Sequence, residues 1–347
     1  MAALTVMGGG VFGLALAFVA ASRGARVQVL EKRRIGAGAS GGVVGALAPH
    51  VPENWNAKKA VQLDALLMAE GFWTQVARVS GRDPGYARTG RLQPVADAAA
   101  LERACARAES AADLWQGRAV WAVRPAADFT GLVPVSPTGM VVHDTLSARL
   151  HPRRALAALA AGVVALRGRV VERADTPPEA GPVVWCTGYE GLAALSAVHT
   201  RSMGAGIKGQ ALRVAYDALA LPQVFAEGLH IVPHADGSVA IGSTSERDFD
   251  APDTTDAQCD ALLDRARTLC PALTEAPVLE RWAGVRPRAR TRAPMLGPWP
   301  GRPGHYVLNG GFKIGFAMAP LLGSIMADLV LDGRDNVPDG FRVTDNL

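Results

Sequence analysis

Three glycines near the start of the chain, Gly8, Gly10 and Gly13, have the spacing G-x-G-x-x-G. An apolar run that predicts a strand precedes them, and an apolar run that predicts a helix follows. Gly8 would permit a tight turn, Gly10 would let a pyrophosphate approach the backbone, and Gly13 would let the helix pack closely on the sheet. Glu31 ends the next predicted strand, where a carboxylate can accept both hydroxyls of a ribose. The spacing therefore predicts a dinucleotide site in a first βαβ unit.

The loop after Glu31 is built from small residues and reads GAGASGGVVGALAP, from Gly36 to Pro49. Its backbone N–H groups can face phosphate and ring oxygens, an approach that bulky side chains would block. This composition favours FAD, a long dinucleotide, over NAD. A flexible Gly/Ala loop is the other interpretation.

One lysine stands inside an apolar, glycine-rich stretch, LNGGFKIGFAMAPLLGSIMADLVL, from Leu308 to Leu331. A buried ammonium without a partner costs several kcal/mol, so Lys313 must either reach water or meet an anion. The stretch predicts a strand, a glycine turn and a helix that starts near Ile314. A second concentration of positive charge is the run RPRARTR, from Arg286 to Arg292.

Size and charge limit the classes of protein. The 347 residues allow two domains or one large discontinuous α/β unit. The formal net charge of +4 suits an anionic cofactor or substrate, and it permits nucleic acid without requiring it. No cysteine pair has metal-site spacing, so we expect no metal, reduced thiols and a cytoplasmic protein.

Other segments predict the remaining elements. The stretch LALAFVAASRGA resembles a signal peptide, but no Lys or Arg precedes it, so we interpret it as part of the strand-turn-helix unit. No apolar run is expected to span a bilayer. Amphipathic runs predict helices over 60–81, 98–116 and 257–269, and ADG at 235–237 predicts a hairpin turn. The run VLERWAGVRPRARTRAPMLGP predicts a strand followed by a loop.

Five stretches resemble, in their order, the D-amino-acid oxidase-like superfamily of FAD-dependent oxidoreductases, and look most similar to glycine oxidase. They read GASGGVVGALAP, GPVVWCTG, GLHIVPHADGSVAIGSTSERDFD, WAGVRPRARTRAPMLGP and NGGFKIGFAMAPLLG. The resemblance covers nearly the whole chain. It is specific to the superfamily but not to one substrate.

The resemblance implies an α/β fold, in which a Rossmann-like FAD-binding domain is interleaved with a mixed-sheet substrate domain. Residues 1–80, 140–200 and 280–347 would form the discontinuous FAD-binding domain. Residues 81–139 and 201–279 would form the substrate domain.

The resemblance also implies which residues bind the cofactor. The glycine motif would hold the ADP half, Val170 would contact adenine through its backbone, and residues 311–315 would lie against the flavin. The implied residues are Gly8, Gly10, Val11, Phe12, Gly13, Glu31, Lys32, Ala39, Ser40, Gly45, Ala46, Leu47, Val170, Thr187, Gly188, Gly284, Gly311, Phe312, Lys313, Ile314 and Gly315.

Four residues are implied at the substrate. Arg286 would pair bidentately with a substrate carboxylate, helped by Lys313. Either could instead be structural: Arg286 could bond loop carbonyls, and Lys313 could extend to the surface. His230 stands where glycine oxidases usually carry Tyr, and it could donate a hydrogen bond, carry a charge depending on pH, or be a plain strand residue. His50 could line the site, bond covalently to the flavin, or be a loop histidine.

The implied reaction is oxidation of the C–N bond of a small carboxylate-bearing amine, such as glycine, sarcosine or a D-amino acid. Hydride would pass to flavin N5, water would hydrolyse the resulting imine, and O₂ or another acceptor would take the electrons.

Two alternatives stay open. Two stretches, GASGGVVGALAP and GVRPRARTRAPMLG, also resemble the oxidase domain that acts on a carboxymethylaminomethyl-uridine of tRNA, and the basic chain fits that partner. Against it, we expect no methyltransferase domain in this chain, although that oxidase is usually fused to one. The chain could also be a subunit of a partner-dependent dehydrogenase or a structural flavoprotein. The sequence does not predict an oligomeric state.

Overall fold

A computed structural model describes residues 3–347. Its helices are α1 (Val11–Ser22), α2 (Ala57–Ser80), α3 (Ala98–Trp115), α4 (Pro152–Ala165), α5 (Gly188–Ala197), α6 (Ala257–Leu269) and α7 (Gly315–Asp332). Its strands are β1 (Ala3–Met7), β2 (Arg26–Glu31), β3 (Ala46–Leu47), β4 (Arg91–Pro94), β5 (Trp121–Pro125), β6 (Met140–Asp144), β7 (Ala148–Arg149), β8 (Arg169–Glu172), β9 (Val183–Trp185), β10 (Gly204–Ala215), β11 (Gln223–Ala226), β12 (Leu229–Pro233), β13 (Ser238–Gly242), β14 (Val278–Ala289), β15 (Met295–Pro298) and β16 (His305–Asn309).

The first sheet has the strand order β15-β16-β9-β1-β2-β8 and is parallel except at β15. In its register, Met7 of β1 lies beside Leu30 of β2 and Trp185 of β9. The carboxyl ends of these three strands therefore meet at one edge. In open parallel sheets, ligands bind at this edge.

Helix α1 packs against the sheet at very short range because Gly13 has no side chain. A Cβ atom on Gly13 would lie 2.1 Å from the carbonyl oxygen of Gly8. On another side of α1, a Cβ on Gly323 of α7 would lie 3.1 Å from the amide nitrogen of Leu16. These small residues let sheet, α1 and α7 form one apolar core.

Helix α7 is apolar and long enough to cross a membrane, with a mean hydropathy of 1.4 over residues 315–332. The expectation that no run has this length and composition is therefore wrong. Half of that window is buried within the protein, and Met318, Leu322 and Met326 belong to the core cluster. This burial is typical of a helix in the core of a protein, which can be as long and as apolar as a helix that spans a membrane.

The second sheet is mixed and has the order β14-β10-β13-β12-β11-β4-β6-β5. Strands β4 and β11 are parallel, and the other neighbours are antiparallel. Strands β12 and β13 form the hairpin that the ADG turn predicts. The α/β architecture with a parallel sheet and a mixed sheet is confirmed.

Two elements differ from the sequence predictions. The long strand β10 was not anticipated, because its glycines and charged residues hide an alternating pattern. Residues 295–298 form strand β15, where the sequence predicted a loop. Pairing with β16 supplies the hydrogen bonds that make this short segment a strand.

The predicted domain limits stay a prediction, and sheet membership favours moving two of them. Strand β6 falls in the segment 140–200 assigned to the FAD-binding domain, but it pairs within the mixed sheet. Most of β14 falls in the segment 280–347, but it pairs with β10 of the mixed sheet.

Replacing Gly13 with alanine should destabilise the protein by about 1–3 kcal/mol, because the added Cβ forces α1 away from the turn after β1. Gly71→Ala is the control: Gly71 lies inside α2, and an added Cβ there would have no atom within 4 Å. That change should stabilise by up to about 1 kcal/mol. Urea unfolding of both variants measures the difference, and equal effects would contradict the proposed close packing.

Candidate active site

A cavity of about 650 Å³ lies between the two sheets. Glu31 of β2 and Cys186, just after β9, line it from the first sheet, and Arg286 of β14 and His230 of β12 line it from the second. The N-terminal residues of α1 and α7 complete its wall. This volume lies within the range typical of cofactor and ligand sites.

The beginning of α1 offers an anion site. Gly8 has φ +109°, and a Cβ there would lie 2.5 Å from the carbonyl oxygen of Cys186. Gly10 caps the helix without a side-chain hydrogen bond, and the first turn has no acidic residue. The Ser40 hydroxyl accepts a hydrogen bond from the Val11 amide at 3.0 Å. The free helix N-terminus and its dipole therefore favour a phosphate at this position.

Glu31 stands at the carboxyl end of β2 and is held from two sides. One carboxylate oxygen accepts the Gly9 amide hydrogen at 2.7 Å, and the other accepts that of Arg33 at 2.9 Å. These bonds orient the carboxylate beside the glycine turn. Both oxygens have further lone pairs that can accept ribose hydroxyl groups.

A second helix N-terminus, that of α7, faces the cavity. Ile314 occupies its N-cap position, no side chain accepts a hydrogen bond from the first-turn amides, and the first turn has no acidic residue. The preceding turn approaches α1 closely, since a Cβ on Gly311 would lie 2.7 Å from the ring of Phe12. The positive end of α7 can therefore stabilise negative charge on a bound ring system.

Arg286 is 8% exposed and is held by neutral groups. Its guanidinium donates to Ser243 Oγ at 2.6 Å, to the Lys208 carbonyl at 3.1 Å and to the Thr244 carbonyl at 2.5 Å. Within residues 3–347, Nε has no hydrogen-bond partner and no carboxylate pairs with the group. Burial lowers the pKa of Arg286 to about 10, although the Glu246 carboxylate opposes the shift.

Strand β10 leaves room for this guanidinium because it carries a glycine at the point of contact. A Cβ on Gly209 would lie 2.2 Å from an Arg286 nitrogen. A glycine in a strand interior often marks a close approach of this kind. Gly209, one of the glycines that obscure the strand pattern of β10, therefore makes room for the Arg286 guanidinium.

Lys313 and His230 also line the cavity. Burial and the nearby Arg286 lower the pKa of Lys313 to about 8. Burial, with smaller contributions from Arg91 and Lys313, lowers the pKa of His230 to about 3. His230 is therefore neutral near pH 7, and the expectation that it could carry a charge at ordinary pH is not favoured.

A family model described as FAD dependent oxidoreductase, abbreviated DAO, matches residues 4–329. The chain belongs to this family. It is 29% identical to the glycine oxidase of Geobacillus kaustophilus over 371 aligned residues, which cover 94% of this chain and 92% of that protein. It is also 29% identical to the glycine oxidase of Pseudomonas putida, with 97% of this chain and 98% of the relative covered.

Solved structures show the same fold. The glycine oxidase of Geobacillus kaustophilus superposes with a TM-score of 0.83 at 23% identity, over 100% of both chains. Iminodiacetate oxidase from Chelativorans sp. BNC1 superposes with a TM-score of 0.84 at 20% identity, over 98% of both chains. The predicted superfamily and interleaved fold are confirmed.

The DAO-family chain uses FAD, and its cavity fits that cofactor. The α1 N-terminus can hold the pyrophosphate, Glu31 the adenosine ribose, and the α7 N-terminus the flavin ring. Eighteen of the predicted site residues line this one cavity: Gly8, Gly10, Val11, Phe12, Glu31, Lys32, Ala39, Ser40, Ala46, Thr187, Gly188, His230, Arg286, Gly311, Phe312, Lys313, Ile314 and Gly315.

Six predicted site residues do not line the cavity. Gly13, Gly45, Leu47 and Gly284 lie behind it, and a Cβ on Gly45 would lie 1.8 Å from the Leu150 carbonyl oxygen, which indicates a packing role. Val170 lines a separate cavity, whereas Ala174 and Asp175 beyond β8 line the main one.

The sixth, His50, is exposed, and its backbone amide donates to Gln62 Oε1 at 3.0 Å. Its ring Nδ1 contacts the same oxygen. The structure therefore holds His50 on the α2 side and not at the cavity wall.

Several lining residues were missed by the sequence analysis. Arg302 lies 5.0 Å from the Trp185 ring and 5.4 Å from the Trp299 ring, and all three line the cavity. Ser243 and Trp282 line it as well. Ser243 lies inside the stretch GSTSERDFD, which carries the family resemblance. The resemblance could therefore have pointed to Ser243, but the spacing of residues in the sequence could not predict its contact with Arg286.

Replacing Glu31 with glutamine should weaken FAD binding about tenfold or more, because charge-assisted hydrogen bonds to the ribose are lost. Glu172→Gln is a matched control, since Glu172 pairs with Glu31 in register on β8 but does not line the cavity. Fluorescence titration of the deflavinated variants with FAD measures both. Equal FAD affinities of the two variants would contradict the assignment of Glu31 to the cofactor site.

Proposed function

We propose that this FAD-dependent oxidoreductase oxidises the C–N bond of a small amine that carries a carboxylate. The observation that carries the proposal is Arg286, a buried guanidinium that lines the cavity and has no carboxylate partner among the described residues. A planar guanidinium is well suited to bind a carboxylate through charge-assisted hydrogen bonds.

The relatives support this substrate class. The similar proteins include glycine oxidases and, among solved structures, iminodiacetate oxidase and the L-proline dehydrogenase of P. horikoshii. Their names share one chemistry, oxidation of an amine next to a carboxylate-bearing carbon. The chain's own guanidinium would recognise that shared carboxylate.

Bound FAD supplies a two-electron acceptor that takes the hydride from the carbon next to nitrogen. Arg286 would fix the carboxylate and so aim that C–H bond. A bound ammonium would be repelled by Arg286 and Lys313, which lowers its pKa and favours loss of one proton to water. Loss of the hydride from the neutral amine would then turn its C–N bond into the C=N bond of an iminium, which water would split into an oxo acid and an amine or ammonia.

His230 would act as a neutral hydrogen-bonding group. Its Nδ1 is buried and has no partner within the described chain. With a pKa of about 3, the ring is too weak a base to take the amine proton near pH 7. It can instead donate or accept one hydrogen bond with the substrate, as a Tyr hydroxyl does.

The electron acceptor, O₂ or another molecule, is a separate question from substrate recognition. We propose a cytoplasmic location, which the reduced state of the cysteines supports. All four are free, and burial raises the pKa of Cys270 to about 12, so its thiol resists oxidation.

The function is tested by anaerobic flavin bleaching. The purified holoenzyme is mixed without oxygen with glycine, sarcosine, proline, iminodiacetate and D- and L-amino acids, and flavin absorbance is followed. We expect at least one carboxylate-bearing amine to bleach the flavin and the corresponding amine without a carboxylate to fail. Bleaching by none of them would favour a tRNA-borne amine or a partner-dependent dehydrogenase.

Arg286→Met should raise the apparent Kd of the reducing substrate about 100-fold, because a buried charge-assisted pair is lost. Arg288→Met is the matched control, two residues along β14 and outside the cavity wall. Stopped-flow flavin reduction against substrate concentration gives both Kd values. If both variants keep the wild-type Kd, Arg286 does not dock the carboxylate.

A further inference from the structure

Three cations lie around the ring of Phe312, and two of them, Arg286 and Lys313, line the cavity. The Arg286 guanidinium carbon lies 5.4 Å from the ring centroid, Lys313 Nζ lies 5.7 Å from it, and the Arg288 guanidinium carbon lies 5.8 Å from it. Phe312 itself has φ +41°, in the left-handed region that favours glycine. Arg286 and Lys313 both line the cavity, on either side of this turn in sequence.

The carboxylates of the cavity wall are Glu31, Asp175 and Glu190, and none of them neutralises these cations. Glu31 is engaged by backbone amides, and Glu190 pairs with Lys32 and Arg33, which are exposed. Across residues 3–347, neither Arg286 nor Lys313 has a carboxylate within ion-pair distance. Lys313 is exposed within the cavity, so a monocarboxylate bound by Arg286 would leave the ammonium of Lys313 paired only with water.

We propose that the substrate carries two carboxylates, one bound by Arg286 beside the reacting C–N bond and the other bound by Lys313. Lys313 is then the residue that determines specificity for a dianionic amine over a simple amino acid. This inference rests on the proposed function, because it concerns the same cavity.

The local electrostatics support separate roles for the two cations. Arg286 is held rigidly by two carbonyls and a hydroxyl, whereas Lys313 has no hydrogen bond to the described chain. Burial and, as the smaller cause, repulsion from Arg286 lower the pKa of Lys313, and the repulsion is relieved when each cation has its own anion. The flexible side chain of Lys313 can adapt to the position of the second carboxylate, whereas the fixed guanidinium of Arg286 sets the position of the first.

The test uses the FAD-loaded enzyme and unreactive acids, so that binding is separated from oxidation. Acetate, malonate, succinate and glutarate are titrated at constant ionic strength near pH 7, and the change in flavin absorbance gives each Kd. We expect at least one diacid to bind about tenfold or more tightly than acetate. Diacids that bind no more tightly than acetate overturn the inference.

Variants assign the difference to Lys313. Lys313→Met should abolish the preference for the diacid and leave the Kd of acetate within about threefold, whereas Lys313→Arg should keep the preference. Lys58→Met is the control, because Lys58 is exposed on α2 and does not line the cavity. Equal weakening of acetate and diacid in Lys313→Met would overturn the inference, since Lys313 would then serve the first carboxylate or the flavin.

A pH series gives a second measurement. Free Lys313 is protonated below about pH 8 and neutral above it, so the preference for diacids should fall as pH rises through and above that value. The pKa of Arg286, about 10, lies above this range, and His230 stays neutral throughout it. A diacid preference independent of pH between about 6 and 9 would contradict the assignment to Lys313.

Flavin bleaching distinguishes the two proposals. If glycine or sarcosine bleaches the flavin as efficiently as iminodiacetate or aspartate, the dianionic substrate is overturned and the proposed function stands. If no carboxylate-bearing amine bleaches it, the proposed function fails and the inference fails with it.

Discussion

The site depends on one constraint, a guanidinium that must stay charged while it is almost fully buried. Such a group needs hydrogen-bond acceptors that do not neutralise it, or it could not attract an anionic substrate. The Lys208 and Thr244 carbonyls and the Ser243 hydroxyl meet this requirement for Arg286. They can do so only because β10 runs beside β14 and carries Gly209 where the guanidinium lies. The long β10–β14 pair is thus as much a part of the site as the arginine.

Charge is distributed unequally along the cavity. Near Glu31, a carboxylate and exposed ion pairs suit the ribose of an adenosine, and the α1 N-terminus beside it suits a pyrophosphate. Near Arg286, the wall is cationic, and the α7 N-terminus adds a positive dipole. A long cofactor would lie with its pyrophosphate at the α1 N-terminus, its ribose beside Glu31 and its flavin beside the α7 N-terminus. This arrangement would leave an anion-binding space beside Arg286 at the flavin end.

The first βαβ unit and its motif could be predicted because each residue type has a local reason there. Gly8 needs its left-handed φ, Gly13 meets a carbonyl, and Glu31 ends a strand. The final turn with Lys313 could be predicted on the same grounds. In contrast, β10 and β15 depend on partners distant in sequence, so no local pattern predicted them. The backbone contact of Val170 with adenine stays a prediction, since Val170 lines a separate cavity beside α4.

Two residues of the cavity wall affect its charge in different ways. His230 departs from the pattern that the resemblance to glycine oxidase implies, whereas Lys313 keeps to it. His230 replaces a tyrosine, but burial keeps its ring neutral near pH 7, so the exchange preserves a neutral hydrogen-bonding group at the wall. Lys313 retains a positive charge on a flexible stem, 5.7 Å from a ring that Arg286 also approaches. A neutral group cannot offset the repulsion between these two cations, and within the described chain neither has a carboxylate at ion-pair distance, although Glu246 acts on Arg286 from further away. An anionic ligand would offset that repulsion, which is why the substrate's own charge should decide how tightly this cavity binds it.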